Sequence, residues 1–133
     1  MRFFFVVILT TILVFILPLL CKAETKPPVK TFPKYQGPKV VFEITAYTAR
    51  DKGMNGRGIT ASGVRARRWH TIAASRSYPF GTRIHIPALG KTFVVQDRGG
   101  AIRGNRLDLF VGDRKEALRF GRRRLVGIVL ERG

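Results

Sequence analysis

A small, mainly β barrel with one short helix is what this sequence predicts, and three observations point to it. Short segments of alternating apolar residues recur from Val40 onward, and Gly- and Pro-containing turns separate them. The one cysteine, Cys21, excludes a disulfide framework and a cysteine-ligated zinc site. A small domain without disulfides needs closed packing, and closure into a barrel leaves no unpaired strand edge.

Each element has its own signal. Val40, Phe42, Ile44 and Ala46 alternate with Val41, Glu43, Thr45 and Tyr47, the period of a half-buried strand. Residues 50–70 are rich in Gly, Arg and Ser and read as a long loop. Thr71 to Ala74 is a short apolar strand. Pro79-Phe80-Gly81 turns into Thr82–Ile86, and Pro87 to Gly90 turns into Thr92–Gln96, a hairpin with Phe93 and Val95 on one face. Leu107–Val111 and Leu125–Leu130 complete the strands. Between them Asp113 and Glu116 fit a capping box, and Gly121 ends the helix that they start.

Two segments precede the barrel. Arg2, the apolar run Phe3–Leu20 and the small residues before Glu24 have the form of a secretory signal peptide, cleaved after Ala23. The run is nearly long enough to span a bilayer, so a retained N-terminal membrane tether through residues 3–20 is the rival reading. Residues 24–39 are rich in Pro and Lys without apolar periodicity and read as an extended linker, leaving 40–133 as the domain. Either reading of the leader sends the domain out of the cytoplasm.

Composition narrows the function. The 133 residues carry 25 Lys and Arg against 8 Asp and Glu, a net charge of +17. Nucleic-acid binders are often this basic, but an exported domain meets anionic envelope polymers first, and a basic surface suits retention there. No nucleic-acid partner is therefore expected. His70 and His85 are the only histidines, too few for a His-rich metal site, and no metal or other cofactor is expected.

Among the acids, Glu24 lies in the linker, Glu131 near the end, and Asp113 and Glu116 at the helix start. Glu43 faces out of an edge-like strand and Asp51 sits in a basic loop. Asp97 and Asp108 remain. Asp97 ends an apolar strand before Gly99-Gly100, and Asp108 interrupts Leu107-Leu109-Phe110, where a charge must be solvated or partnered. By alternation alone Asp108 could point to solvent, with Leu107 and Leu109 inward. Two carboxylates flanking a glycine turn could equally do acid–base work on a glycosidic bond if burial raised one pKa. Trp69, Tyr47 and Tyr78 could stack on sugar rings or serve the core.

Several motifs carry a family resemblance: Thr45-Ala46-Tyr47-Thr48, Gly58-Ile59-Thr60-Ala61-Ser62-Gly63, Ile72-Ala73-Ala74-Ser75, Pro79-Phe80-Gly81-Thr82 and the whole stretch Gln96–Phe110. Together they resemble the 3D domain, named for three aspartates, which is itself similar to the catalytic double-psi β-barrel of membrane-bound lytic transglycosylase A. The resemblance implies a double-psi barrel, peptidoglycan glycan strands as partner, and cleavage to a 1,6-anhydro product. It implies Asp108 as the catalytic acid, Asp97 as its supporting aspartate, and substrate contacts at Thr45, Tyr47, Thr60, Gly99, Gly100 and Arg106. The match departs at Ser75, where the family's first aspartate usually stands, and the turn to Pro79 is one residue shorter. The chemistry needs one carboxyl, acid first and base second, so Asp108 is expected to hold a raised pKa. The alternative is a non-catalytic, expansin-like barrel that binds the wall. A monomer is expected.

Overall fold

The computed structural model describes residues 35–51 and 56–130. The expected leader, Cys21 and the linker up to residue 34 lie outside the described residues, as does Glu131.

Each alternating segment forms a strand. These are β1 (Lys39–Tyr47), β2 (Thr71–Ala74), β3 (Arg83–Ile86), β4 (Lys91–Asp97), β5 (Arg106–Phe110) and β6 (Arg123–Leu130). The strands close into a barrel in the order β1-β5-β2-β4-β3-β6. The β1/β5 and β2/β4 pairs are parallel, and the other four contacts, including the closing β1/β6 pair, are antiparallel. The mainly β barrel expected from the sequence is thus present. Glu43 reads in the sequence as facing out of an edge-like strand, but β1 has neighbours on both sides. Its partners are distant in sequence, so local patterning gives no sign of them.

Alternation fills the interior. Phe42 and Ile44 on β1, Ile72 and Ala74 on β2, Phe93 and Val95 on β4, and Leu107 and Leu109 on β5 all point into one buried cluster. Phe42 packs against the backbone of β6 at Gly127, where an added Cβ would lie 2.7 Å from the Phe42 ring. The ring occupies the space a side chain would need.

One helix, α1 (Arg114–Phe120), comes after β5. The Asp113 carboxylate accepts from the Glu116 N–H at 2.8 Å, as the capping-box spacing predicts. Glu116 instead reaches back to the Gly112 N–H at 2.8 Å, and binds the Arg68 guanidinium and the Trp69 indole N–H. Trp69 has φ 54, the left-handed region, and edges against Phe120 of the helix. The Arg68 hydrogen bond, foremost, holds the Glu116 carboxyl down at about 2.

Residues 35–39, assigned to the linker by composition, pack on the barrel. Tyr35 stacks on His85 at 3.7 Å, and the Pro38 carbonyl accepts from the Val129 N–H at 3.0 Å. His85 is buried, with Nδ1 2.9 Å from the Thr92 hydroxyl.

One irregularity interrupts the ladders. Between β2 and β4, Ile72 pairs with Val95, but the next residue, Ala73, pairs with Asp97. Gln96 is therefore an extra residue in β4, a β-bulge.

Candidate functional site

Strict alternation after Phe93 and Val95 would aim Asp97 into the apolar interior. The bulge at Gln96 reverses the parity, so that Gln96 and Asp97 both reach the outer face. There Gln96 accepts from the Thr71 hydroxyl at 2.7 Å, and Asp97 meets the outward side chain of Tyr47.

The register then assembles one row across four strands. Thr45 on β1 pairs with Asp108 on β5, Asp108 with Ala73 on β2, and Ala73 with Asp97 on β4. Leu107 and Leu109 take the inward positions of β5, which sends Asp108 outward as alternation predicts. The methyl of Ala73 is the only side chain between the two acids in that row.

The two carboxyls have different surroundings. Asp97 is 4% exposed. It accepts from the Tyr47 hydroxyl at 2.6 Å, the Ala61 N–H at 2.8 Å and the Arg98 N–H at 2.9 Å. It is the acceptor in all three contacts, which suits a group that positions others. Asp108 is half-buried and accepts from the Thr45 hydroxyl at 2.9 Å. Burial pushes its pKa up to about 6. The Thr45 hydrogen bond and the Arg106 charge pull the other way, whereas Asp51 and Asp97 add to the rise. Burial comes first, as the apolar neighbours in sequence suggest.

The other residues singled out in the sequence take varied positions. Tyr47 is buried with its hydroxyl committed to Asp97; burial, reinforced by that hydrogen bond, pushes its pKa up. Thr60 is buried in the long loop, bonded to the Val64 carbonyl at 2.9 Å and 3.0 Å from the Ser62 hydroxyl. That loop reaches Asp97 through the N–H of the adjacent Ala61. Arg106 forms an ion pair with Glu43 at 3.3 Å on the outer face. Gly99 and Gly100 lie in the turn after β4, where a Cβ on Gly99 would meet Ile102 at 2.8 Å and one on Gly100 would meet open space. Ser75 donates to the Gly104 carbonyl at 3.1 Å. Tyr78 packs on Phe42 and bonds Asn105, and Trp69 sits against α1; neither belongs to the row bearing the acids.

Asp51 reads in the sequence as one acid of a basic loop, yet its charge acts on Asp108. Its carboxylate accepts from the Thr48 N–H, and the Thr48 hydroxyl accepts from the Arg50 N–H at 3.3 Å. The Thr48-x-x-Asp51 spacing is the capping-box signature, here closing a turn rather than opening a long helix. Among the described residues no cluster of three or more His, Cys, Asp or Glu could hold a metal ion.

Known proteins share parts of this chain. It is 35% identical over 87 residues to the cell wall-binding protein YocH of Bacillus subtilis, covering 62% of this chain and 29% of YocH. It is similar in structure to MltA from E. coli, with TM-score 0.47 and 23% identity, over 58% of this chain and 28% of that one. It is likewise similar to LtgG, a lytic transglycosylase of Burkholderia pseudomallei, with TM-score 0.40 and 23% identity, over 74% of this chain and 27% of that one. The chain therefore spans less than a third of the length of each. The family model of the 3D domain matches residues 70–130, from the start of β2 to the end of β6, and by that match the chain carries a 3D domain.

Proposed function

We propose that this chain acts on the glycan strands of peptidoglycan in the bacterial cell wall, cleaving them by lytic transglycosylase-type chemistry centred on Asp108. The observation that carries the reading is the contrast between the two carboxyls: Asp97 is fully enclosed by donors, whereas Asp108 is half-buried, held by Thr45, and pushed up to about 6 by its burial. Such a group is protonated often enough near neutrality to serve as an acid, and is then basic enough to take the proton back. The match to the 3D domain and the similarity to the wall-binding YocH support the wall as the place of action.

The steps balance on one carboxyl. Asp108 gives its proton to the glycosidic oxygen as the bond from that oxygen to the muramoyl C1 breaks. The muramoyl C6 hydroxyl attacks C1 and passes its proton to the Asp108 carboxylate, closing a 1,6-anhydro ring. No water is activated, so no second catalytic carboxylate is required. Thr45 fixes the rotamer of Asp108, and Asp97 fixes Tyr47 and the Ala61 loop beside it. Gly99, Gly100, Thr60 and Arg106 would border the glycan. Export would follow from residues 1–23, as a cleaved signal or a retained tether, with residues 24–39 as spacer.

A second reading is a wall-binding barrel without catalysis, in which Asp97 and Asp108 only accept hydrogen bonds from glycan hydroxyls. It is favoured by Ser75, whose hydroxyl is spent on the Gly104 carbonyl where the family's first aspartate usually stands. Mass spectrometry of soluble products from purified peptidoglycan, treated with the full chain or with its Asp108→Asn variant, decides between the two. Anhydromuropeptides from the unsubstituted chain alone uphold the proposal. Reducing-end products would mean hydrolysis, and no products with retained sedimentation on peptidoglycan would leave the binding barrel.

A further inference from the structure

Beside the row of acids the barrel wall opens into a groove of about 570 Å³, lined by Ala74, Ser75, Arg76, Arg98, Ile102 and Arg103 with three backbone glycines. It begins at the residue after Ala73, the one that separates Asp108 from Asp97. No acid lines it, although three guanidiniums do.

The walls are fixed. Arg98 donates to the Ala74 carbonyl at 3.2 Å and the Tyr78 carbonyl at 2.9 Å, and its guanidinium lies 4.1 Å above the Phe80 ring. The opposite wall is the turn closed by the Ile102 N–H on the Gly99 carbonyl, tied to β2 through Ser75 and Gly104. Gly100 leaves that wall without a side chain, and Gly104 at φ 56 allows the turn. Arg76 and Arg103 are exposed at the rim. Burial first and then the Arg76 charge lower the Arg98 pKa, while Asp97 acts the other way, so the two lining guanidiniums lie near enough to repel. Planar forks around an open backbone are suited to a carboxylate, which accepts two parallel N–H bonds from one guanidinium.

We propose that this groove holds a carboxylate of the peptide substituent on the glycan strand, so that the chain selects peptide-bearing over bare glycan. The inference rests on the proposed action on peptidoglycan. The position of the groove, one residue from the acids' row, lets a single strand present its sugar to Asp108 and an acidic substituent to Arg76 and Arg103. The bland account of the same arginines is general basicity, which would attract any polyanion without preference.

The two are separated by sedimentation of the full chain with three insoluble materials: intact peptidoglycan, peptidoglycan whose peptide carboxylates are capped as amides by carbodiimide and ammonia, and peptidoglycan freed of phosphate polymers by acid. Binding is compared for the unsubstituted chain and for Arg76→Gln/Arg103→Gln, both at exposed positions. The unsubstituted chain is expected to prefer intact to amidated peptidoglycan by about tenfold or more, the worth of one charge-assisted contact. The double variant is expected to lose that preference. Equal affinity of the unsubstituted chain for both materials would overturn the inference, as would a preference that survives in the double variant. A loss of binding on acid treatment alone would assign the groove to phosphate and overturn the carboxylate. If the chain bound none of the materials, the proposed function itself would fail, a result distinct from the others.

Discussion

Asp108 and Asp97 share a register partner: Ala73 pairs with the first across β5 and with the second across β4. The two acids therefore sit on one outer surface with only a methyl between them in the row, though eleven positions apart in sequence. Asp97 is saturated by donors and Asp108 is not, and substitutions at or beside the two should differ in their effects accordingly.

Asp108→Asn should abolish glycan cleavage and raise stability. The carboxyl rises from 3.8 to about 6 on folding, chiefly through burial. A raised acid is fully tolerated only below its unfolded value; the penalty grows as pH climbs from about 4 to about 6 and persists above. After discounting for its partial exposure, removing the charge should stabilise the fold by ~1–2 kcal/mol at pH 7.5 and by little at pH 4. Thermal melts at both pH values check this; equal shifts would count against it.

Cleavage should fall as pH rises through about 6, because the acid form of Asp108 is lost there. Thr45→Val removes the hydroxyl whose hydrogen bond lowers that pKa. Its falling limb should move to higher pH, with the maximum rate reduced through loss of the fixed rotamer. Carboxyl titration by NMR in both proteins measures the shift directly, and an unmoved Asp108 would refute the role given to Thr45.

Tyr47→Phe takes one of three donors from a buried carboxylate. An unsatisfied buried acceptor costs about 1–3 kcal/mol, so urea midpoints should fall with the slope unchanged. Stability equal to that of the unsubstituted chain would mean that a water replaces the hydroxyl.

Gly127→Ala tests the packing of Phe42 against β6. The new methyl would enter the ring at 2.7 Å and also lie 2.9 Å from Ile84, so overpacking of about 1–3 kcal/mol is expected. Gly100→Ala, with nothing within 4 Å, should be nearly neutral by the same denaturation measurement.

These residues also mark how far the chain's pattern reaches. The strands are legible because each alternates, and Asp113 with Glu116 announces the helix. Asp108 faces outward for the reason alternation gives. Asp97 is legible as unusual but not in its direction, because the bulge at Gln96 reverses the parity that Phe93 and Val95 establish. The enclosure of β1 depends on pairings with β5 and β6 that no local pattern encodes. Glu116 reads as a cap; its bonds to Arg68 and Trp69 span more than forty residues and exist only once the barrel closes. Asp51 carries its own signal in Thr48-x-x-Asp51, hidden among the charges of the loop.

The bulge also limits how this chain can vary in length. Loops around a barrel ordinarily accept insertions and deletions, but a change of length within β4 moves side chains between its two faces. Deleting Gln96 would set Asp97 directly after Val95, outward by plain alternation, at the loss of the hydrogen bond from the Thr71 hydroxyl to the Gln96 side chain. The bulge is thus the place in β4 where a residue can be lost without exchanging the two faces, and variants elsewhere in this strand should substitute residues without changing their number.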